Sequence, residues 1–555
     1  VPLIEFFPAA RQVEVEVGTT LLQAARRAGV VIEAPCDGVG TCGKCKVRRL
    51  AGETRTIVGA RHALSRAEQA DGWLLACQEQ VCGDLRLELA ERQRETGLRI
   101  AHGGAARSVP LRPAVGKEFV AATGQTLVHS GEDLLGVEQG DTRGEQFGLA
   151  VDIGTTTLVV ALIDLRTGAE LAVASSLNPQ ARHAQDVLSR IRFASREGGL
   201  SQLRGELLDA LNQLTAEVAA AAGIGREAIY EAVLCGNTCM LHLATGTDPS
   251  PLGHSPYTPT LSGGSRHPAA EFGLEIAAVG QVYLPPIISA YVGADLSAGL
   301  LAAGLDSETR SMLLIDIGTN GEMILAHQGR LFATSTAAGP AFEGMNIRCG
   351  MRAAAGAIER VRIDADGAIA LQTIGERDPL GLCGSGLLDA VAELLRSGVV
   401  TRAGGFLRSA DSLPASLGAR LVARDGKPVF VIADEVVLTR GDLRQVQLAK
   451  GAIRAGIDLL LRQVGLSPEQ LDGVLIAGSF GLHLRPESLL TIGLLPPEFA
   501  GRIEFVGNTA KSGSQALLLN RDCRPHLQQL VGKIEVLELA HHAEFAQVFV
   551  ASLGF

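Results

Sequence analysis

At 555 residues with a formal charge of −10, the chain is too long for a single core and lacks the basic surplus of a nucleic-acid binder. Hydrophobic residues make up 46%, charged residues 20% and aromatics 4%, the balance of soluble α/β layers, and a prior of about 150 residues per domain suggests three or four units. Ten cysteines fall short of a disulfide-rich density, so a reducing, cytoplasmic setting with one metal site is expected.

The chain opens with LIEFF (3–7) and VEVEV (13–17), which read as strands and lack the basic start and apolar run of a signal peptide. Thr20 and Gln23 form a capping-box pattern at the start of LLQAARRAG, and Gly29 stands where a helix ends. Then come Cys36, Cys42 and Cys45, with Cys77 a further 32 positions on. This C-x5-C-x2-C run differs by one residue from the plant-type [2Fe–2S] pattern and resembles C-x5-C ferredoxins of the β-grasp fold. Gly38, Gly40 and Gly43 let the loop wrap closely around a cluster. Zinc is the competing metal, but zinc sites usually present two short C-x2-C knuckles and only one is here. Cys82 competes with Cys77 as fourth ligand; the LLACQ context, similar to the fourth-ligand segment of ferredoxins, favours Cys77.

Residues 1–90 are therefore expected to form the ferredoxin-type domain, and 91–147 a flexible connector with a small middle region of unassigned fold, rich in Gly, Ala, Pro and Arg at its start. At 148 the text changes to GLAVDIGTTTLVVALIDLRTG, and a similar strand–turn–strand recurs at 312 as MLLIDIGTNGEMILAHQGR. The repeat marks an internal duplication. The apolar stretch from Ile287 to Leu305 contains Gly293, Asp295 and Gly299 and reads as a buried helix, not a membrane span. A third element, VLIAGSFG (474–481), adds a strand and a Gly-rich turn.

Together the three elements resemble the two phosphate motifs and the adenosine motif of the superfamily of acetate and sugar kinases, heat-shock chaperone ATPases and actin. That resemblance implies two ribonuclease-H-like lobes, about 148–310 and 311–555, closing on Mg²⁺ and ATP. Backbone N–H groups and hydroxyls at Gly154, Thr155, Thr156, Thr157, Gly318, Thr319, Asn320 and Gly321 can cradle phosphates, with Gly339 in the following turn. Asp152 and Asp316 would hold hydrated Mg²⁺ or orient the attacking water, and Gly478 and Ser479 would admit adenosine.

Five further segments narrow the likeness: NPQARHAQDVLSRI, YLPPIISAYVGADLSAGLLA, AGPAFEGMNIRCGM, GLCGSGLLDAVAELL and LRQVQLAKGAIRAGIDLLL. They resemble the ATP-dependent reductive activators of corrinoid proteins. The fold expected is thus an α/β multidomain chain: a β-grasp ferredoxin, a flexible connector and a duplicated ATPase. The resemblance implies that one electron passes from the cluster to an inactive Co(II) corrinoid on a methyltransferase's corrinoid protein, restoring Co(I) at the expense of ATP. It also implies an upstream low-potential electron donor and allows a homodimer; no nucleic acid or membrane partner is expected. Two rivals keep the fold: a donor to a different low-potential metalloenzyme, such as a radical dehydratase, and a nucleotide-switched ferredoxin without obligatory turnover. Cys235, Cys239, Cys349 and Cys383 read as packed residues. No D-x-H-x-x-G text is present, so the corrinoid should arrive on the partner.

Overall fold

The computed structural model describes all residues except 31, 33, 35–39, 41, 42, 58–63, 65, 91–107, 408–411, 425 and 479–483. In the N-terminal unit Leu3–Phe7 is the hub: it pairs antiparallel with Arg11–Glu14 and parallel with Leu85–Leu89. Lys46–Ala51 and Trp73–Leu75 complete a five-stranded sheet. The helix Leu21–Arg27 starts on the expected capping box, with both Thr20–Gln23 bonds formed, and Gly29 follows its end at φ +70°. Ile4, Phe6, Leu21, Val47 and Leu87 close a core beneath it. The second strand ends at Glu14, short of the expected VEVEV run. The chain must turn at Gly18, φ +92°, to deliver Thr20 to the helix cap, so Val17 is left exposed.

Within the region expected to hold a connector and a small middle unit, the chain after residue 107 forms strands. Val115–Val120, Gln125–Ser130 and Asp133–Gln139 form a three-stranded antiparallel sheet. It is fastened to the next domain by Lys117, whose fully buried side chain donates to Glu138 Oε2 at 2.9 Å and to the Tyr230 hydroxyl at 2.7 Å. The ammonium also lies 4.1 Å from the centre of the Tyr230 ring, a cation–π contact.

The two largest sheets of the remaining chain are six-stranded and match in five strands, the sixth lying at opposite edges. In the first, Phe147–Ile153 runs antiparallel to Thr157–Asp164 and parallel to Ile229–Gly236. In the second, Met312–Ile317 runs antiparallel to Gly321–His327 and parallel to Gly473–Ala477. Asp152 and Asp316 occupy equivalent places near the ends of these central strands, facing Val159 and Glu322 in their respective antiparallel ladders. The strands are buried on both faces, which explains their near-continuous apolar text.

Between the lobes cross the helices Ala294–Ala302 and Thr509–Leu519. Small residues set their distance: a Cβ on Gly513 would stand 2.1 Å from the Ala298 carbonyl oxygen, and one on Gly299 2.9 Å from Thr509 Oγ1. The stretch from Ile287 thus becomes a helix only from Ala294, and among the described residues no helix is long and apolar enough to cross a membrane.

Candidate functional site: a two-lobed cleft beside a cysteine pair

The two central strands end in similar glycine turns, the first one residue longer than the second. Gly154 donates its amide to Thr157 O at 2.9 Å, and Gly318 donates to Asn320 O at the same distance. Those two amides are therefore spent inside the turns, whose residues line the space between them. Asp152 and the residues from Gly154 to Thr157 line one wall of a cleft; Asp316 and the residues from Gly318 to Asn320 line the other. Gly478, at φ +117°, lies at the same cleft, where a Cβ would meet Ile317 O at 2.5 Å. Gly321 sits in its strand and Gly339 bonds its amide to Thr319 O at 2.9 Å; neither belongs to the lining. Ser479 lies outside the described residues.

Three side chains hold the first turn in place. Asn178 donates to Gly154 O at 2.9 Å, Asn237 donates to Thr155 Oγ1 at 2.9 Å, and the buried Arg190 guanidinium donates to Thr155 O. Burial lowers the Arg190 pKa to about 10, which leaves it charged at neutral pH.

The cleft floor is acidic. Burial raises Asp152 to about 6, partly opposed by a 2.8 Å hydrogen bond from Asn508 Nδ2. Asp295 and Asp316 are each pushed up to about 7, by burial first and then by neighbouring carboxylates. Glu322 is raised for the same reasons, with Asp295 and Asp316 as the charges it feels. Four acids held above the ordinary carboxylate range by burial and by one another make a floor suited to a divalent cation. Among the described residues no three His, Cys, Asp or Glu side chains converge at direct-ligand spacing.

Glu343 closes the cleft from above. Its two carboxylate oxygens accept one hydroxyl each, from Thr156 and from Thr319, both at 2.5 Å, so a single side chain ties the two turns together. Beyond it the cleft continues past Phe342, Met351 and Ile374 to the start of the helix Gly384–Arg396. Asp295, Glu322, Glu343, Asn237 and Asn508 are functional candidates that the sequence alone does not single out. Asp295 and Glu343 stand inside the segments GADLSAG and PAFEG, but one sequence offers no sign that these acids point into a cleft.

In the N-terminal unit Cys45 and Cys77 are buried with their sulfurs 3.3 Å apart, across strands joined by the 2.8 Å bond from Ala76 N to Cys45 O. A Cβ on Gly40 would lie 2.7 Å from the Gln78 side chain, so Gly40 sits close against the second cysteine's segment. Cys82 is exposed, its sulfur 3.9 Å from Gln80 O. Cys36 and Cys42 lie outside the described residues. The cysteine loop touches the cleft domain: Lys44 Nζ donates to Gly350 O at 2.5 Å and to Gly344 O at 3.1 Å. Cys235, Cys239, Cys349 and Cys383 are all buried in packed surroundings.

Fold and site together define a ferredoxin joined to an ATPase of the actin and sugar-kinase type. Residues 6–82 match the model of the 2Fe-2S iron–sulfur cluster binding domain, 147–308 that of the RACo middle region, and 310–555 that of the C-terminal ASKHA domain of RACo. The middle-region match covers the first lobe. The corrinoid activation enzyme RamQ of Eubacterium limosum is 34% identical over 421 residues, 74% of this chain and 70% of the relative. The [Co(II) methylated amine-specific corrinoid protein] reductase of Methanosarcina barkeri is 25% identical over 441 residues, 74% of this chain and 77% of its own. Among solved structures, a reductive activator for a corrinoid, iron–sulfur protein matches at TM-score 0.74 and 32% identity, covering 100% of this chain and 98% of the other. The chain belongs to this family of reductive activators of corrinoid proteins.

Proposed function

We propose that this protein uses ATP to pass one electron from an N-terminal [2Fe–2S] cluster to the Co(II) corrinoid of a partner protein in a methyltransferase system, returning it to Co(I). The observation that carries the reading is that likeness to a reductive activator runs through the cysteine unit and both lobes of the cleft in one chain. Cys36, Cys42, Cys45 and Cys77 would hold the cluster, which supplies the electron. The buried Cys45–Cys77 pair fits that group, and exposed Cys82 does not need to serve.

Asp152 and Asp316 would hold Mg²⁺ through water, backed by Asp295 and Glu322. The hydroxyls of Thr155, Thr156, Thr157 and Thr319, with Asn320, would bind the phosphates, and Gly478 and Ser479 would lie against adenosine. Gly154, Gly318, Gly321 and Gly339 act by shaping the turns. An energy source is needed because plant-type centres sit near about −400 mV. A target lower by 100 mV costs about 2.3 kcal/mol per electron. An upstream low-potential donor would reload the cluster, and the proposed setting is cytoplasmic, with a homodimer as the proposed assembly.

The test is anaerobic spectroscopy of a purified corrinoid protein held as Co(II), mixed with this protein, reductant and Mg²⁺. Co(I) should appear with ATP and not without it. A reduced cluster that yields no Co(I) across several corrinoid proteins would reject the reading in favour of another electron acceptor.

A further inference from the structure

The segment between Pro340 and Met351 touches both halves of the molecule. At one end Glu343 holds the hydroxyls at the tips of the two phosphate turns, Thr156 and Thr319. One residue later, Gly344 offers its carbonyl to Lys44, and Gly350 offers a second. Lys44 is the residue immediately before Cys45, inside the cysteine loop. The phosphate turns and that loop are therefore joined through a single short stretch of backbone.

That stretch is stiff. Gly344 N bonds to Ala341 O, Met345 N to Pro340 O and Gly350 N to Ile347 O. Gly344 has φ +77°, and a Cβ there would stand 2.4 Å from Met351 O; one on Gly350 would stand 2.2 Å from Gly344 O. Asp442 pins the middle by accepting from Arg348 N at 2.6 Å, and its carboxylate lies close enough to Lys44 to feel its charge. A segment closed on itself in this way transmits a shift at Glu343 to both carbonyls held by Lys44.

A carboxylate bridging two hydroxyl donors occupies the place and the bonds a phosphate would take. The two carry charge of the same sign and compete for the same donors, so they cannot share the site without repulsion.

We propose that the 340–351 segment is a nucleotide-operated latch: phosphate entering the cleft takes the threonine hydroxyls from Glu343, and the displaced segment releases Lys44 and with it the cysteine loop. This rests on the nucleotide reading of the cleft and adds a consequence to it: the cluster unit is docked without nucleotide and freed to meet its partner when nucleotide binds. Linkage makes the effect reciprocal, so weakening the dock must tighten nucleotide binding.

The test is hydrogen–deuterium exchange on the full, cluster-loaded chain with and without a Mg²⁺-bound non-hydrolysable ATP analogue, with calorimetry to establish binding. In the native protein the analogue should raise exchange at amides of residues 43–48 and 344–351. Lys44→Met should show the raised exchange at residues 43–48 without nucleotide, and should bind the analogue roughly 5-fold more tightly or better. Glu343→Gln, which keeps the shape and removes the charge, should also bind more tightly, while the visible spectrum of both variants stays native. Analogue bound by calorimetry with exchange unchanged in both segments overturns the latch and leaves the nucleotide site standing. No binding at all overturns the nucleotide reading and the latch with it.

Discussion

Asn508 donates to Asp152 across 356 residues of sequence, a 2.8 Å bond from the second lobe to the first. The same side chain caps the helix Thr509–Leu519 through its oxygen, which accepts from Lys511 N at 2.8 Å. Helix cap and acidic floor are thereby one construction, and the charge on that floor becomes a property of how the lobes meet.

The floor makes stability depend on pH. Asp152, near 6, and Asp295 and Asp316, near 7, all lie above ordinary carboxylate values, so the folded protein binds more protons than the unfolded one across that range. Without divalent cation, their contribution is present at about pH 4 and is lost as pH rises through about 7, where a carboxyl group raised by a single pH unit forfeits about 1.4 kcal/mol. Thermal unfolding in chelator should show this decline, and Mg²⁺ should restore more stability at about pH 8 than at about pH 5.5, because only the ionised floor binds the cation. An equal Mg²⁺ effect at both values would contradict the assignment.

Replacing Asp316 by Ala should separate the two halves of the activity. ATP-dependent formation of Co(I) is expected to fall by about 10²-fold or more. The cluster's visible spectrum should be unchanged, because Asp316 belongs to the second lobe's sheet, far in topology from the cysteine unit. A parallel loss of the spectrum would place Asp316 in the fold of the whole chain instead of in nucleotide chemistry.

The cysteines divide by environment. Cys45→Ser and Cys77→Ser should each lose or distort the iron–sulfur absorption and lower the iron content from two per chain. Cys82→Ser should leave both intact, since its sulfur sits exposed and apart. Iron analysis and electron paramagnetic resonance of the reduced protein decide this, and a damaged cluster in the Cys82 variant would reverse the ligand choice.

Gly513→Ala adds one methyl group where the Ala298 carbonyl oxygen would be 2.1 Å away. Backbone on both sides gives little room to yield, so a loss of about 1–3 kcal/mol is expected in denaturant unfolding. Weaker nucleotide binding should accompany it, because the same helix pair fixes how the lobes face each other. Unchanged stability would show that the helices slide apart at no cost.

The chain is most legible where a local rule governs it. Thr20 and Gln23 announce their helix start because a capping box is a four-residue device, and DIGT stands out twice because a buried strand entering a glycine turn leaves a dense apolar signature. What stays hidden is the convergence of residues distant in sequence. Glu343 meets Thr156 across 187 positions and Lys44 meets Gly350 across 306, and no periodicity encodes such meetings. The sheet of residues 115–139 escapes notice for a different reason. Its strands carry polar residues on both faces and pack on the next domain through a buried lysine and a tyrosine, so the usual apolar alternation is faint.

The doubled architecture departs from symmetry at its centre. Across the ladder from Asp152 stands Val159, and across from Asp316 stands Glu322. Two identical halves would offer a chain of phosphates no reason to enter one way round rather than the other. Glu322 lines the cleft whereas Val159 is buried in the first lobe, so the two halves contribute unequally to the acidic floor.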